Sequence, residues 1–301
     1  MNDIYNGGRE YLQGFFAEFD FPDEARMALL DTYDRIWTND VCRKALTFAI
    51  SQYVDTSYDY AKYLGEVRNA FADVGICSYS GELVFVILLS GRLRELYAEA
   101  GIADDVYKAS MLDVKYKLDE CRCVKGVWGT FVAGWYGGFF AMKRFGLGRF
   151  QFDMTSLKTD YSGQGTELAE GAPVLAVHIP RTGVRLDHSL VLDAYCKAAE
   201  FFAPYFKNSP VAFVCGSWLL YPKNKDILSP ESNLYRFISD FDIVGSKDYT
   251  DYKEMWRLFD TEITDDIDAL PRDSSLRRAY ADIMKRGEPL GEGKGIYIFK
   301  R

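Results

Sequence analysis

An alternation of strand-like and helix-like segments within residues 174–246 constrains the fold of this chain most strongly. An apolar run at 174–179 is followed by a turn, a helical segment from His188 to Ala203 and a second apolar run at 211–220. A helix of this length between two apolar runs predicts a parallel βαβ unit, because parallel strands need such a crossover. A third strand-like run lies at 241–246. In βαβ units, ligands bind at the carboxyl end of the first strand, beside the free N–H groups of the helix.

Composition narrows the class of protein. The 301 residues are 48% hydrophobic with a net charge of −8, which is typical of a globular chain and argues against nucleic acid or membrane-surface partners. The longest apolar run, at 83–89, is too short to span a bilayer, and the polar start of the chain does not resemble a signal peptide. We therefore expect a cytoplasmic protein.

The six cysteines are scattered, which favours reduced thiols over a disulfide framework. Cys121 and Cys123 are separated by one residue, not by the two of common zinc knuckles, and neither His178 nor His188 is near them in sequence. No metal site is predicted.

The two halves of the chain differ in their pattern of apolar residues, the first being typical of helices and the second of strands and turns. We therefore expect an α+β fold with domains at 1–118 and 119–301. Helical spacing of apolar residues predicts five helices in the first half. They begin near Asp23, Asp40, Tyr58, Ser80 and Asp104.

After Cys123 the pattern changes to that of strands and turns. The segment 147–154 alternates as a half-buried strand, with Arg149, Gln151 and Asp153 on one side. Further predictions are a polar loop or hairpin at 155–171, a helix start at Ser229 and a return strand at 255–259. A helix from Asp273 to Arg286 and a short strand at 295–299 complete them.

The turn after the first strand of the βαβ unit has the chemistry of an anion site. Gly183 permits close backbone approach, Asp187 or Ser189 can cap the helix, and Arg181 and Arg185 supply positive charge. Such a turn suits a phosphate or pyrophosphate. An ordinary βα turn with solvated arginines remains the alternative interpretation.

Several segments, in this order, resemble the bacterial two-domain acyltransferase-like proteins of the GNAT superfamily, in which a helical N-terminal domain precedes a GNAT-like domain. They are LGRFQFDM, AVHIPRTGVRLDHSLVLDAYCKAAEFF, FVCGSWLLYP, ESNLYRFISDFDIV and LPRDSSLRRAYADIMKRGEPLGEGKGIYIF, all within residues 119–301. The resemblance implies a mixed β-sheet flanked by helices, an acyl-CoA donor such as acetyl-CoA, and an amine acceptor that is a small molecule or a peptide. It also implies two parallel strands, 174–179 and 211–220, that splay apart to admit the pantetheine arm.

The same resemblance implies a cofactor-binding set. Residues 180–186 correspond to the pyrophosphate loop, and Asn233 corresponds to an amide side chain that contacts the pantetheine arm. The loop departs from the usual pattern: it has a single glycine, with Arg185 and Leu186 where small residues are expected. The implied cofactor-binding residues are Arg181, Thr182, Gly183, Val184, Arg185, Leu186 and Asn233.

Acyl transfer to an amine needs a base, a donor for the thioester oxygen and an acid for the leaving thiolate. His178 is the candidate base, since its reference pKa is near neutral, and a hydrogen-bonded structural histidine is the alternative. The resemblance implies that Tyr235 is the candidate acid, and packing in the core is the alternative role for this side chain. Cys215 and Ser217 share one strand face and are candidates for orienting substrate. For Cys215 we also weigh a covalent acyl carrier and a buried structural thiol.

The leading hypothesis is thus an acyl-CoA-dependent N-acyltransferase. The atypical loop motivates a second hypothesis, a catalytically degenerate GNAT fold that acts as a binding or regulatory module. A Rossmann-like nucleotide binder is disfavoured because the Gly-x-Gly-x-x-Gly turn is missing.

Overall fold

The computed structural model describes residues 2–206, 210–249 and 251–300, with the backbone alone in residues 2–7. The chain divides into two compact units, Met1–Gly146 and Leu147–Arg301. Within the described residues, none of the helices combines the length and apolar character that crossing a membrane requires.

The first unit is helical, as predicted, and its central helix is α5. Residues 83–89 of α5 are apolar on every side and all buried, which is typical of a helix surrounded by others. Helices α1, α2, α3, α4 and α6 each contact α5. The bounds are α1 (Asn2–Glu18), α2 (Asp23–Thr38), α3 (Asp40–Ser51), α4 (Tyr60–Ala72), α5 (Ser78–Glu99), α6 (Asp104–Lys125) and α7 (Gly137–Phe140).

Local chemistry sets several of these helix ends. The Asn39 side chain accepts hydrogen bonds from the backbone N–H groups of Val41 and Cys42, which caps α3. Gly126, at φ +69°, ends α6 in the left-handed conformation that glycine adopts without strain. All five helices predicted for this half are confirmed, and α1 precedes them.

The second unit contains a mixed sheet with helices and a separate hairpin. The strands are β1 (Arg144–Leu147), which crosses the boundary between units, β2 (Phe150–Ser156), β3 (Tyr161–Gly163), β4 (Thr166–Leu168), β5 (Pro173–His178), β6 (Val211–Ser217), β7 (Asp242–Tyr249) and β8 (Leu290–Phe299). The helices are α8 (His188–Phe201), α9 (Asn224–Ile227), α10 (Asn233–Ser239), α11 (Trp256–Phe259) and α12 (Ser275–Lys285).

The sheet confirms the predicted βαβ unit. From β2 onward, the strands lie in the order β2-β5-β6-β8-β7. Strands β5 and β6 are parallel and α8 connects them, whereas every other pairing in this order is antiparallel. The predicted polar segment 155–171 contains the β3–β4 hairpin.

In the last sixty residues, one predicted strand is wrong and another is confirmed but longer than predicted. Residues 255–259 form a short 3-10 turn and α11 instead of a strand, and Met255 and Phe259 are buried in one apolar cluster. Their four-residue separation places both on one helix face, which explains the apolar pattern. The last strand begins at Leu290, five residues before the predicted start, and pairs with β6 and β7 along most of its length.

Two helices begin later in the sequence than predicted. Helix α10 begins at Asn233 with Ser232 as its cap, whereas Ser229 closes a turn through the backbone N–H of Glu231. Helix α12 is capped by Ser274, while the neighbouring Asp273 binds the Arg277 guanidinium.

Candidate active site

Strands β5 and β6 pair over only part of their length. Their ladder consists of Leu175↔Phe213 and Ala176↔Val214. Strand β5 continues to His178 and β6 to Ser217, and these last residues of the two described strands do not pair with each other. On its other side, β6 stays paired with β8 as far as Ser217. The carboxyl ends of the parallel pair therefore leave an unpaired gap inside an otherwise continuous sheet.

The two sides of the sheet are covered differently. We call the side that carries Val174, Ala212 and Ile296 the hairpin face, because Tyr161 and Leu168 of the β3–β4 hairpin pack on it. We call the opposite side the helix face. Its aromatic residues include three from the sheet and one each from α8 and α10: Phe150, Phe213, Tyr297, Tyr195 and Phe237.

His178 lies on the hairpin face at the end of β5, two and four residues after Ala176 and Val174 on the same side. Its Nε2 is 3.1 Å from Oδ2 of Asp153, which β2 presents on the same face. The exposed fractions of the two side chains are 28% and 24%. Gln151, the register partner of His178 on β2, is buried. The gap between β5 and β6 thus has an imidazole at its edge, and a carboxylate on β2 contacts that imidazole from the other side of β5.

The loop after β5 is shaped by a short internal turn and by one arginine. Gly183 has φ +73°, and Thr182 Oγ1 accepts a hydrogen bond from the Val184 backbone N–H at 3.1 Å. The Arg149 guanidinium donates to the carbonyl oxygens of Pro180 at 3.0 Å and Val184 at 3.3 Å. Arg149 therefore fixes both sides of the turn from the beginning of β2.

Of the four backbone N–H groups from Gly183 to Leu186, three remain available for a ligand. Among the described residues, no acceptor is bonded to the N–H groups of Gly183, Arg185 or Leu186, while Val184 donates to Thr182. An added Cβ at Gly183 would meet no atom within 4 Å, so the space beside it is open. Together with the start of α8, these donors suit an anion.

The two loop arginines differ in their surroundings. Arg181 Nε lies 2.7 Å from Asp260, whose other oxygen is 2.6 Å from Arg277. Arg185 is exposed and makes no ion pair within the described residues. Arg185 is thus the loop cation that a bound anion can recruit without breaking an existing pair.

Asn233 is oriented by the N-terminal residue of the α8 region. Its side-chain amide donates to Oδ1 of Asp187, the N-cap residue of α8. This hydrogen bond links the start of α10 to the loop end. It also gives Asp187 a donor, which reduces the repulsion between its carboxylate and an anion bound at the loop.

Cys215 and Ser217 lie on the helix face, opposite His178. Cys215 is buried, and burial raises the pKa of its thiol to about 12, so the thiol stays protonated near neutral pH. This disfavours a covalent acyl carrier at Cys215. Ser217 Oγ accepts a hydrogen bond from the Leu219 backbone N–H at 3.2 Å and thereby caps a short 3-10 turn.

Tyr235 lies in the first turn of α10, whose Phe237 packs on Phe150 at the helix face. The Tyr235 side chain is half-buried, and Lys225 Nζ lies 5.6 Å from its ring centroid. Its role as an acid stays a prediction, as do the roles of Ser217 and Asn233.

The helix face also contains polar atoms with incomplete bonding. Within the described residues, Tyr195 Oη, His188 Nδ1 and Asp240 Oδ2 are buried without a hydrogen-bond partner. His188 and Asp240 are 4.0 Å apart at these atoms. Burial raises the pKa of the Asp240 carboxyl, and the nearby His188 partly opposes this. No group of three or more His, Cys, Asp or Glu able to hold a metal occurs in the described part of the chain.

Sequence reasoning did not assign a role at the loop after β5 to either Asp153 or Arg149. The alternation predicted for 147–154 placed both on one side of a single strand, whereas the structure has a turn at 148–149 between β1 and β2. The β2–β5 register was needed to bring Asp153 to His178. No local pattern signals that Arg149 binds the loop carbonyls, since the partners are 31 and 35 residues away.

Comparison with known proteins agrees with this architecture. Two family models match the chain: an N-acyltransferase N-terminal domain over residues 10–142 and a GNAT-like C-terminal domain over residues 145–297. No curated protein matches its sequence.

Solved structures show the same fold at low identity. An acyltransferase in complex with decanoyl-CoA and teicoplanin is 18% identical, with a TM-score of 0.73 over 96% of this chain and 87% of the other. An acyltransferase in complex with CoA and 10C-teicoplanin is 17% identical, with a TM-score of 0.72 over 96% and 87%. An acyltransferase in complex with decanoyl-CoA is 16% identical, with a TM-score of 0.64 over 96% and 99%. With both domain models matched in order along its length, the chain belongs to the GNAT-like family that joins an N-acyltransferase N-terminal domain to a GNAT-like C-terminal domain.

Proposed function

We propose that this protein is an acyl-CoA-dependent N-acyltransferase that acts on the amine of a small molecule or peptide. The observation that carries the proposal is the gap between the carboxyl ends of β5 and β6, with His178 at its edge and a donor-rich loop directly after β5. The acyl-CoA complexes of similarly folded acyltransferases support the choice of donor.

In this proposal the loop binds the pyrophosphate of the donor. The free N–H groups of Gly183, Arg185 and Leu186 donate to phosphate oxygens, and the Arg185 guanidinium adds charge. The pantetheine arm then enters the gap between β5 and β6, where Asn233 is the candidate for contacting its amides. Arg181 and Arg149 act on the shape of the loop, through Asp260 and through two carbonyl oxygens respectively.

The proposed chemistry is direct transfer. His178 accepts a proton from the acceptor ammonium, and the resulting amine attacks the thioester carbonyl carbon. The C–N bond forms, the C–S bond breaks, and the thiolate of CoA leaves with a proton supplied by Tyr235 or by the imidazolium of His178. The products are an amide and free CoA, with one proton released to solvent. Ser217 remains the candidate for orienting the substrate.

The acceptor and the acyl group are proposed from chemistry and from the similar structures. Teicoplanin in the complex of a similarly folded acyltransferase supports a small-molecule amine acceptor. Decanoyl-CoA and octanoyl-CoA in such complexes support an acyl chain longer than acetyl. We therefore expect octanoyl-CoA and decanoyl-CoA to be better donors than acetyl-CoA.

Calorimetry and a coupled acyl-transfer assay test the proposal. The purified protein is titrated with CoA, acetyl-CoA and decanoyl-CoA, and then incubated with each donor and a panel of small amines and short peptides. Binding of the donors and formation of an amide, detected by mass spectrometry, are expected. The absence of donor binding would contradict the proposal. Binding without turnover against every amine would favour the second hypothesis, a degenerate fold that acts as a binding module.

A further inference from the structure

We infer that Asp153 is a positioning residue for His178: its carboxylate selects the imidazole tautomer and stabilises the imidazolium formed during acyl transfer. The catalytic part of this inference rests on the proposed function. The contact itself does not depend on which acyl group or amine the protein uses.

The register of two neighbouring strands brings the pair together. Strands β2 and β5 are antiparallel, with Gln151 opposite His178 and Asp153 opposite Ala176. Asp153 is therefore the diagonal neighbour of His178 on the hairpin face, within reach of its ring. Oδ2 of Asp153 lies 3.1 Å from Nε2 of His178, which is within ion-pair distance although the two atoms are not aligned as a hydrogen bond.

Of the two strands beside β5, it is β2 that supplies a charged partner to His178, namely Asp153. On the other side of β5, the hairpin face of β6 carries Ala212, Val214 and Gly216, none of which is charged. The carboxylate is also partly shielded, with 24% of its side chain exposed. A charge pair in such a setting interacts more strongly than one in open solvent.

The contact has a defined chemical consequence. A neutral imidazole has a proton on one nitrogen and a lone pair on the other. A carboxylate beside Nε2 favours the tautomer with the proton on Nε2, which makes Nδ1 the accepting nitrogen. When Nδ1 takes the proton of the acceptor ammonium, the ring becomes positively charged while Asp153 stays ionised. The ion pair then stabilises the charge that develops in the transition state.

The backbone makes this arrangement rigid. Asp153 and His178 both lie on paired strands of the sheet, and Phe152, next to Asp153, is fully buried on the helix face. The carboxylate is thus held by a strand whose own position is fixed by core packing. A side chain on a loop would lack that restraint.

Two measurements on Asp153→Asn test the inference, with Asp193→Asn as the matched control. Asp193 is an exposed carboxylate on α8 that pairs only with Lys197 among the described residues. In Asp153→Asn we expect kcat to fall about 10²-fold or more, with the KM for acyl-CoA changed less than about twofold, because the carboxylate acts on the base and not on the donor. Asp153→Glu restores the charge and should recover part of kcat.

The second measurement is the tautomer of His178 by ¹⁵N NMR of histidine-labelled full-length protein. The chain has two histidines, His178 and His188, so a His188→Gln variant assigns the signals. We expect an Nε2–H tautomer in the parent protein and in Asp193→Asn, and a mixture of tautomers in Asp153→Asn.

The outcomes separate this inference from the proposed function. A parent-like kcat or a parent-like tautomer in Asp153→Asn overturns the positioning role. If no amine is acylated under any condition, the proposed function fails, and the NMR result alone decides whether Asp153 orients His178. Circular dichroism melting of each variant establishes that the comparison is made between folded proteins.

Discussion

The two faces of the sheet at the end of β5 and β6 carry different kinds of polar groups. On the hairpin face, His178 and Asp153 form a partly exposed pair. On the helix face, Cys215 is a buried thiol with a raised pKa, and Asp240 and Tyr195 present buried polar atoms without a hydrogen-bond partner among the described residues. The first arrangement can exchange a proton with a substrate, whereas the second mainly costs folding free energy. The hairpin face therefore carries the candidate base, while the helix face combines costly buried groups with Ser217, the candidate for orienting the substrate.

Substitution of His178, the candidate base, should have the largest effect on kcat and directly tests the difference between the two faces. We expect His178→Ala to lower kcat about 10²–10⁴-fold, because it removes the group that takes the ammonium proton. Cys215→Ala on the helix face should leave kcat within about threefold of the parent value. The measurement is the steady-state rate of amide formation with a saturating acyl-CoA. Loss of turnover in Cys215→Ala with full activity in His178→Ala would reverse the assignment of the two faces.

Filling the gap between β5 and β6 should give the next largest effect. An added Cβ at Gly216 meets no atom within 4 Å, and Gly216 lies in the part of β6 that does not pair with β5. A Gly216→Phe side chain would occupy that space, so we expect the KM for acyl-CoA to rise at least about tenfold.

Gly245 provides the matched control for that variant. It lies in β7, and an added Cβ there also meets no atom within 4 Å. Gly245→Phe should therefore leave the KM for acyl-CoA near the parent value. An equal rise of KM in both variants would show that the gap is not the donor site.

Reversal of the charge of Arg185 should weaken CoA binding moderately, by an amount that depends on the salt concentration. Arg185 is exposed, so we expect Arg185→Glu to weaken CoA binding about three- to tenfold at low ionic strength and less in high salt. Calorimetry at two salt concentrations measures it. Lys197→Glu, the same change of charge on the exposed side of α8, is the control. Equal affinities for the two variants would remove Arg185 from the donor site.

The smallest expected effect is on the free energy of unfolding and comes from substitution of Asp240 on the helix face. Burial raises the folded-state pKa of Asp240 above its unfolded value, so its ionisation destabilises the fold as pH rises through that pKa. We expect Asp240→Asn to increase the free energy of unfolding at pH 7 by about 1 kcal/mol. The gain should shrink as pH falls towards the ordinary range of aspartate. Urea denaturation between pH 7 and pH 4 measures it; a gain that is constant with pH would contradict the mechanism.

Much of the fold could be predicted from periodicity. The parallel β5–α8–β6 unit follows from two apolar runs around a helical segment, and the first unit follows from helical spacing of apolar residues. Strand β8 was underestimated because Gly291, Gly293 and Gly295 interrupt its pattern. Added Cβ atoms at these positions would come within 2.0–2.8 Å of Lys247, Leu220 or Phe241, so the glycines reflect close packing within a strand and not a turn.

The candidate site was predictable in part. His178 and the loop after β5 could be selected because residue type and position relative to the βαβ unit are visible in the sequence. The pairing of His178 with Asp153 could not, because a register between strands more than twenty residues apart is set by the folded sheet. The separation of Cys215 from His178 onto opposite faces likewise needed the parallel register of β5 and β6.

The two hydrogen bonds from Arg149 to the Pro180 and Val184 carbonyls make the loop dependent on a turn far upstream in the chain. Redesign of the loop conformation thus has a target outside the loop itself. Replacement of Arg149 would reshape the turn while every loop side chain is retained. Natural drift at that upstream position would change the conformation of the loop in the same way, with the loop sequence left intact.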